Sequence, residues 1–126
     1  MDATTIKGSI RIDLCKYRIT ITKKTHKLMG EPEYILLLVN PEDRTLAIAH
    51  SDANERRAHR IRESKCGEFE LNSKVLLKTL LGLSDNWKDN HSYKVCGEVS
   101  EGENIIKFNI DDAVLASAEK EVNNAD

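Results

Sequence analysis

Two groups of basic side chains are the residues of this sequence best suited to chemistry. The first is Arg11, Lys16, Arg18, Lys23, Lys24, His26 and Lys27; the second is Arg56, Arg57, His59, Arg60, Arg62 and Lys65. Cations this closely spaced neutralise backbone phosphates, and free N–H groups at a helix start can add hydrogen bonds to the same oxygens. The ordinary alternative is a solvated surface. Aromatic residues make up only 5% of the chain, which disfavours stacking on single-stranded bases.

Other chemistries find little support. The chain has no phosphate-binding Gly-x-x-x-x-Gly-Lys loop, dinucleotide Gly-x-Gly-x-x-Gly turn, Gly-x-Ser-x-Gly elbow or His-Glu-x-x-His helix. His26, His50, His59 and His91 are scattered, and none is spaced with a Cys or carboxylate as a metal ligand on one helix. The acidic pairs Asp111-Asp112 and Glu101 with Glu103 fall at an expected helix start and an expected turn. The sequence therefore predicts no enzyme, no cofactor and no metal.

At 126 residues, 40% of them hydrophobic and 32% charged, the chain fits one globular domain spanning residues 1–126. No apolar run approaches the roughly 20 residues that cross a bilayer, and no basic segment followed by an apolar one opens the chain. Cys15, Cys66 and Cys96 are far apart and odd in number, so they predict a reducing cytoplasm and small buried or half-exposed thiols. A net charge of -2 hides a split. Residues 1–66 carry 13 Lys and Arg against 9 Asp and Glu, whereas residues 67–126 carry 6 against 12.

The elements that must position the basic residues can be read from periodicity. Ile10, Ile12 and Leu14 alternate with polar residues as in a half-buried strand, and Arg18 to Ile21 alternate again. Thr22 is placed to cap a helix from Lys23 to Met29, Gly30 to end it, and Pro32 to prevent its continuation. Tyr34 to Val39, the turn Asn40 to Arg44, and Thr45 to Ala49 read as a hairpin. Residues 51–67 read as a connection.

The same signals then return in order. Phe69 to Leu71 alternate, Asn72 stands as the cap, and Val75, Leu76, Leu77, Leu80 and Leu81 give a helix ended by Gly82. Tyr93 to Val99, a turn over Ser100 to Asn104, and Ile105 to Ile110 read as a second hairpin. Ile21-Thr22-Lys23-Lys24 matches Leu71-Asn72-Ser73-Lys74, Glu33-Tyr34 matches Ser92-Tyr93, and Leu46 to Ala49 matches Ile105 to Phe108. An internal duplication with units at about 10–50 and 68–110 is the economical account, because one unit could not bury its own apolar faces. Asp111-Asp112 and the alanine-rich stretch after them predict a C-terminal helix over about 111–121.

Ile10 to Ala49 resembles the AbrB-like family of bacterial transition-state regulators and antitoxins, and the tandem organisation resembles its MraZ branch. Asp13, Arg18, the strand Ile19-Thr20-Ile21, the helix Lys23 to Met29 and the hairpin Tyr34 to Ala49 occupy the family's places, with a fainter echo from Phe69 to Ile110. Where the family has Gly before the Arg this chain has Tyr17, and the second unit lacks both the Asp and the Arg. The resemblance implies an α+β, strand-rich barrel of two tandem strand-helix-hairpin units. It also implies a cytoplasmic bacterial regulator, often dimeric through interleaved hairpins, that contacts double-stranded DNA around the Asp-to-Arg loop. Arg18, Lys24, His26 and Lys27 are then the DNA-binding candidates, and Arg11 and Lys16 join them on charge and placement. The competing expectation is a protein-interaction or scaffold module on the same fold that binds no DNA.

Overall fold

The computed structural model describes residues 5–100 and 105–116. Within them ten strands, two α-helices and a 3-10 turn follow one another along the chain. The first half holds β1 (Thr5–Asp13), β2 (Arg18–Ile21), α1 (Lys23–Leu28), β3 (Tyr34–Asn40) and β4 (Thr45–Ser51). The short strands β5 (His59–Arg60) and β6 (Arg62–Glu63) come next. The second half holds β7 (Phe69–Asn72), α2 (Lys74–Leu83), β8 (Ser92–Ser100), β9 (Ile105–Asn109), the 3-10 turn (Ile110–Asp112) and β10 (Val114–Leu115).

The strand pairings are antiparallel throughout, in the order β5-β3-β4-β9-β8-β1-β2-β7-β6, with β10 added to β8. The two ends of this path, β5 and β6, are separated by one residue, Ile61. The sheet therefore curls into a nearly closed barrel, with Ile61 buried at the seam and its N–H donating to the Glu33 carbonyl at 3.1 Å. Curling removes most of the exposed edge that an open sheet would present. Inside lies one apolar cluster built from alternate residues of every long strand, including Ile10, Ile12, Ile19, Ile48, Ile106 and Phe108.

Exchanging β1 with the β5–β6 pair, β2 with β7, β3 with β8 and β4 with β9 leaves every neighbour relation intact except that of β10. The pivot of this exchange is the outward-facing pair Thr20 and Glu70. Under this exchange Ile21 falls on Leu71. In the hairpins the correspondence is one residue away from the sequence reading. Leu46 corresponds to Ile106, Ile48 to Phe108 and Ile35 to Val95, all of them buried. A shift of one residue in a strand would move each of these side chains to the opposite face, so burial fixes the register.

Other expectations also need correction. The connection 51–67 is not wholly irregular, since β5 and β6 close the barrel from within it. The first strand begins at Thr5 and ends at Asp13, where Oδ1 accepts the N–H groups of Cys15 and Lys16 and turns the chain. Residues after Asp111 form no helix through Leu115; they make the 3-10 turn and then β10, while 117–121 lie outside the described residues. Residues 101–104 of the expected turn also lie outside them. All three cysteines are exposed rather than buried.

The helices follow their caps. Thr22 Oγ1 accepts from the Thr25 N–H at 3.3 Å, and Gly30 at φ 87° ends that turn as expected. Thr25 is fully buried, and its hydroxyl both accepts from the Ser9 N–H at 2.7 Å and lies 3.0 Å from the Ser9 carbonyl, fastening α1 to β1. On α2 the cap is Ser73, not Asn72, because Ser73 Oγ accepts from the Leu76 N–H at 3.3 Å while Asn72 still belongs to β7. The helix also runs past Gly82 to Leu83. Ser73→Ala should therefore cost about 1 kcal/mol in a urea unfolding titration, and Asn72→Ala should leave the α2 cap intact.

Arg44 fixes the far side of the barrel. It has a left-handed φ of 56°, its carbonyl accepts from the Ile110 N–H, and its guanidinium reaches Asp85 at 3.0 Å and Asp111 at 3.2 Å. The hydrogen bond and charge of Asp85, then those of Asp111, hold this guanidinium above its ordinary pKa.

Candidate nucleic-acid interface

The wall formed by β8, β1, β2, β7 and β6 carries the candidate site, because pleating turns every second residue of these strands outward. One outward row reads across the wall as Lys94, Arg11, Thr20, Glu70 and Arg62. The adjacent row is Ser92, Asp13, Arg18 and Asn72.

Glu70 organises the centre of the wall. Its Oε1 lies 3.5 Å from Arg62 Nη2 and 4.0 Å from Arg18 Nε, and its side chain is only 18% exposed. Arg62 Nη2 also donates to Asn72 Oδ1 at 2.5 Å, while Asn72 Nδ2 donates to the carbonyl of Lys16 at 3.1 Å. Arg18 Nε–H is buried without an acceptor. One carboxylate is thus shared between two guanidiniums, and Arg11 and Lys94 complete the row without a further acid in it.

The loop from β1 to β2 supports this arrangement. Tyr17 takes a left-handed φ of 52°, the conformation that glycine adopts most easily. Lys74 of α2 lies over the Tyr17 ring, 5.6 Å from its centroid, and the Ser73 N–H donates to the Tyr17 carbonyl. The loop of the first half is therefore held by the helix start of the second.

The structure places the sequence candidates unequally. Arg11 and Arg18 stand on the wall, and Lys16 is exposed in the adjoining loop. Lys24 and Lys27 are exposed on α1, which leaves the wall at the end of β2. His26 does not join them. It is 7% exposed, its Nε2 lies 2.8 Å from the Pro32 carbonyl, and its ring stacks on Phe69 at 3.6 Å between centroids. A buried ring committed to these contacts packs against the barrel and is not part of the exposed basic surface.

The second basic group is dispersed. Arg57 pairs with Glu55 at 3.6 Å and Arg60 with Glu33 at 3.1 Å, whereas Arg62 stands on the wall beside Glu70.

Comparison of the chain with family models, curated proteins and solved structures finds no match. The function of the wall therefore rests on its own geometry. Sequence reasoning missed Lys94 and Asn72 as members of the wall and did not single out Arg62 within its group. Lys94 alternates with the buried Tyr93 and Val95 on its strand, and that alternation was the available signal. Among the described residues, no three His, Cys, Asp or Glu side chains converge to hold a metal ion. No described helix is long and apolar enough to cross a membrane.

Proposed function

We propose that the chain is a DNA-binding transcriptional regulator or accessory protein of the AbrB and MraZ type, acting in a bacterial cytoplasm. The observation that carries this reading is the outward row Lys94, Arg11, Thr20, Glu70 and Arg62, which sets three cations against one acid on a regular wall. Arg18 adds a further guanidinium beside it. Such a surface suits a duplex backbone, where each neutralised phosphate releases counterions. The topological exchange of the two halves supports their origin as tandem strand-helix-hairpin units packed into one barrel. The glycine-like backbone of Tyr17 supports the resemblance at the loop.

A fluorescence anisotropy titration of labelled duplex DNA at two salt concentrations tests the reading. Affinity should fall as salt rises, and Arg11→Ala with Arg18→Ala should flatten the logarithmic salt slope by about 0.9 for each phosphate no longer neutralised. Failure to bind at low salt would sink the proposal, as would unchanged affinity in the double variant.

A second reading rests on the opposite wall. Leu36 and Leu38 of β3 and Ile105 of β9 point outward, with Leu38 44% and Ile105 36% exposed, beside Ala47 and Ala49. An apolar face of this kind suits a protein partner or a second copy of the chain. The two hairpins already pair with each other through β4 and β9, so a homo-oligomer would assemble through this outer face rather than by exchanging hairpins.

A further inference from the structure

We infer that a single chain forms a two-sided duplex interface, in which Arg62, Lys74 and Lys78 of the second half do on one DNA strand what Arg11, Lys23 and Lys27 of the first half do on the other. The inference rests on the DNA-binding reading above and extends it to residues outside the basic segment of the first half. It predicts one chain per binding site and a site whose halves are related by an imperfect dyad.

The equivalence comes from the strand topology for the arginines and from the helix caps, which lie one residue further along in the second half, for the lysines. About the Thr20–Glu70 pivot, β1 exchanges with β6, and Arg11 opposite Thr20 becomes Arg62 opposite Glu70. Thr22 and Ser73 cap the two helices, so Lys23 and Lys74 are the first residues of α1 and α2. Lys27 and Lys78 follow one turn later in each helix. All four lysines are exposed, as are Arg11 and Arg62.

The spacing fits a duplex. Arg11 and Arg62 lie in one row three strands apart, which is about 14 Å at the usual interstrand distance. Because β2 and β7 are antiparallel, α1 and α2 leave the wall at opposite ends, and their caps are separated by roughly 17 Å along the strand direction. The major groove is about 12 Å wide, and flexible lysine side chains extend beyond their helices. The wall can thus lie along one groove with a lysine pair reaching the phosphates on each side. Glu70, at the pivot, then faces the groove floor rather than either phosphate strand. The halves are not identical: Thr20 is replaced by Glu70, and Lys24 of α1 by Val75, which is 80% exposed on α2. The dyad in the DNA is accordingly imperfect.

The test uses the full chain and a fluorescein-labelled mixed-sequence duplex of about two helical turns, roughly 20 base pairs. Three variants are compared with the parent: Lys23→Ala with Lys27→Ala, Lys74→Ala with Lys78→Ala, and Lys88→Ala with Lys107→Ala as an equal reduction of charge away from the wall. The first two should each lower affinity and flatten the salt slope by about 1.8, corresponding to two phosphates, while the third binds nearly as the parent does. Light scattering of the complex should give one chain per duplex. Parent-like binding by the Lys74 and Lys78 variant, weakened binding by the Lys88 and Lys107 variant, or two chains per duplex would each overturn the two-sided interface and leave the DNA reading standing. No binding by the parent at low salt would overturn both. Far-ultraviolet circular dichroism of each variant checks that the barrel is retained.

Discussion

Gly97→Ala is expected to destabilise the barrel by about 3 kcal/mol, seen as a lower urea midpoint, because an added methyl group has nowhere to go. A Cβ at this position would lie 2.5 Å from the Lys107 carbonyl oxygen and 2.6 Å from the Phe108 ring. The first neighbour is backbone and the second is fully buried, so neither can swing aside as an exposed side chain would. Gly97 pairs directly with Phe108 and Glu98 with Lys107, so the close approach falls on the backbone pairing of β8 with β9 itself. Relieving the clash therefore means separating the strands where Gly97 pairs with Phe108. Phe108→Leu in the same chain should recover only part of the stability, since the close approach to the carbonyl remains. A Gly97→Ala protein as stable as the parent would show that this close approach is absent in solution.

The same region shows how far the sequence could be read. Alternation identified the long strands because their inward residues are large and apolar and their outward ones polar, and that contrast survives without tertiary information. Pairing order was less accessible. The hairpin turns predicted that β3 meets β4, but β1 pairs with β8 across most of the chain's length, and only the closed barrel brings them together. The caps illustrate a finer limit. Asn72 and Ser73 are both good N-caps, and the choice between them depends on where β7 stops pairing with β2. In the same way, Arg11 and Arg18 were legible as cations on alternating strands, whereas their joining with Arg62 and Glu70 required the β2–β7 and β6–β7 pairings. His26 was misplaced because its neighbours Lys24 and Lys27 are exposed, while helical rotation turns the histidine itself onto Phe69.

Ile61 joins fold and site most directly, and Ile61→Asp is expected to cost on the order of 4 kcal/mol or more. The residue is 6% exposed and belongs to the apolar cluster, so the substitution removes a packed side chain and asks the core to accept a carboxylate. It is also the sole link between β5, which pairs with β3, and β6, which pairs with β7. Without its packing both short strands should come free and the seam should open. Two readouts separate this local opening from general weakening. Limited trypsin digestion should cut first after Arg60 and Arg62, and the ion pair of Arg62 with Glu70 should no longer hold the guanidinium in the row with Arg11. Ile61→Val, which keeps the apolar packing, should cost only about 1 kcal/mol and leave the seam protected. If Ile61→Asp kept the trypsin resistance and stability of the parent, the seam would not be what closes the barrel. If it opened the seam while full DNA affinity persisted, Arg62 could not belong to the recognition surface.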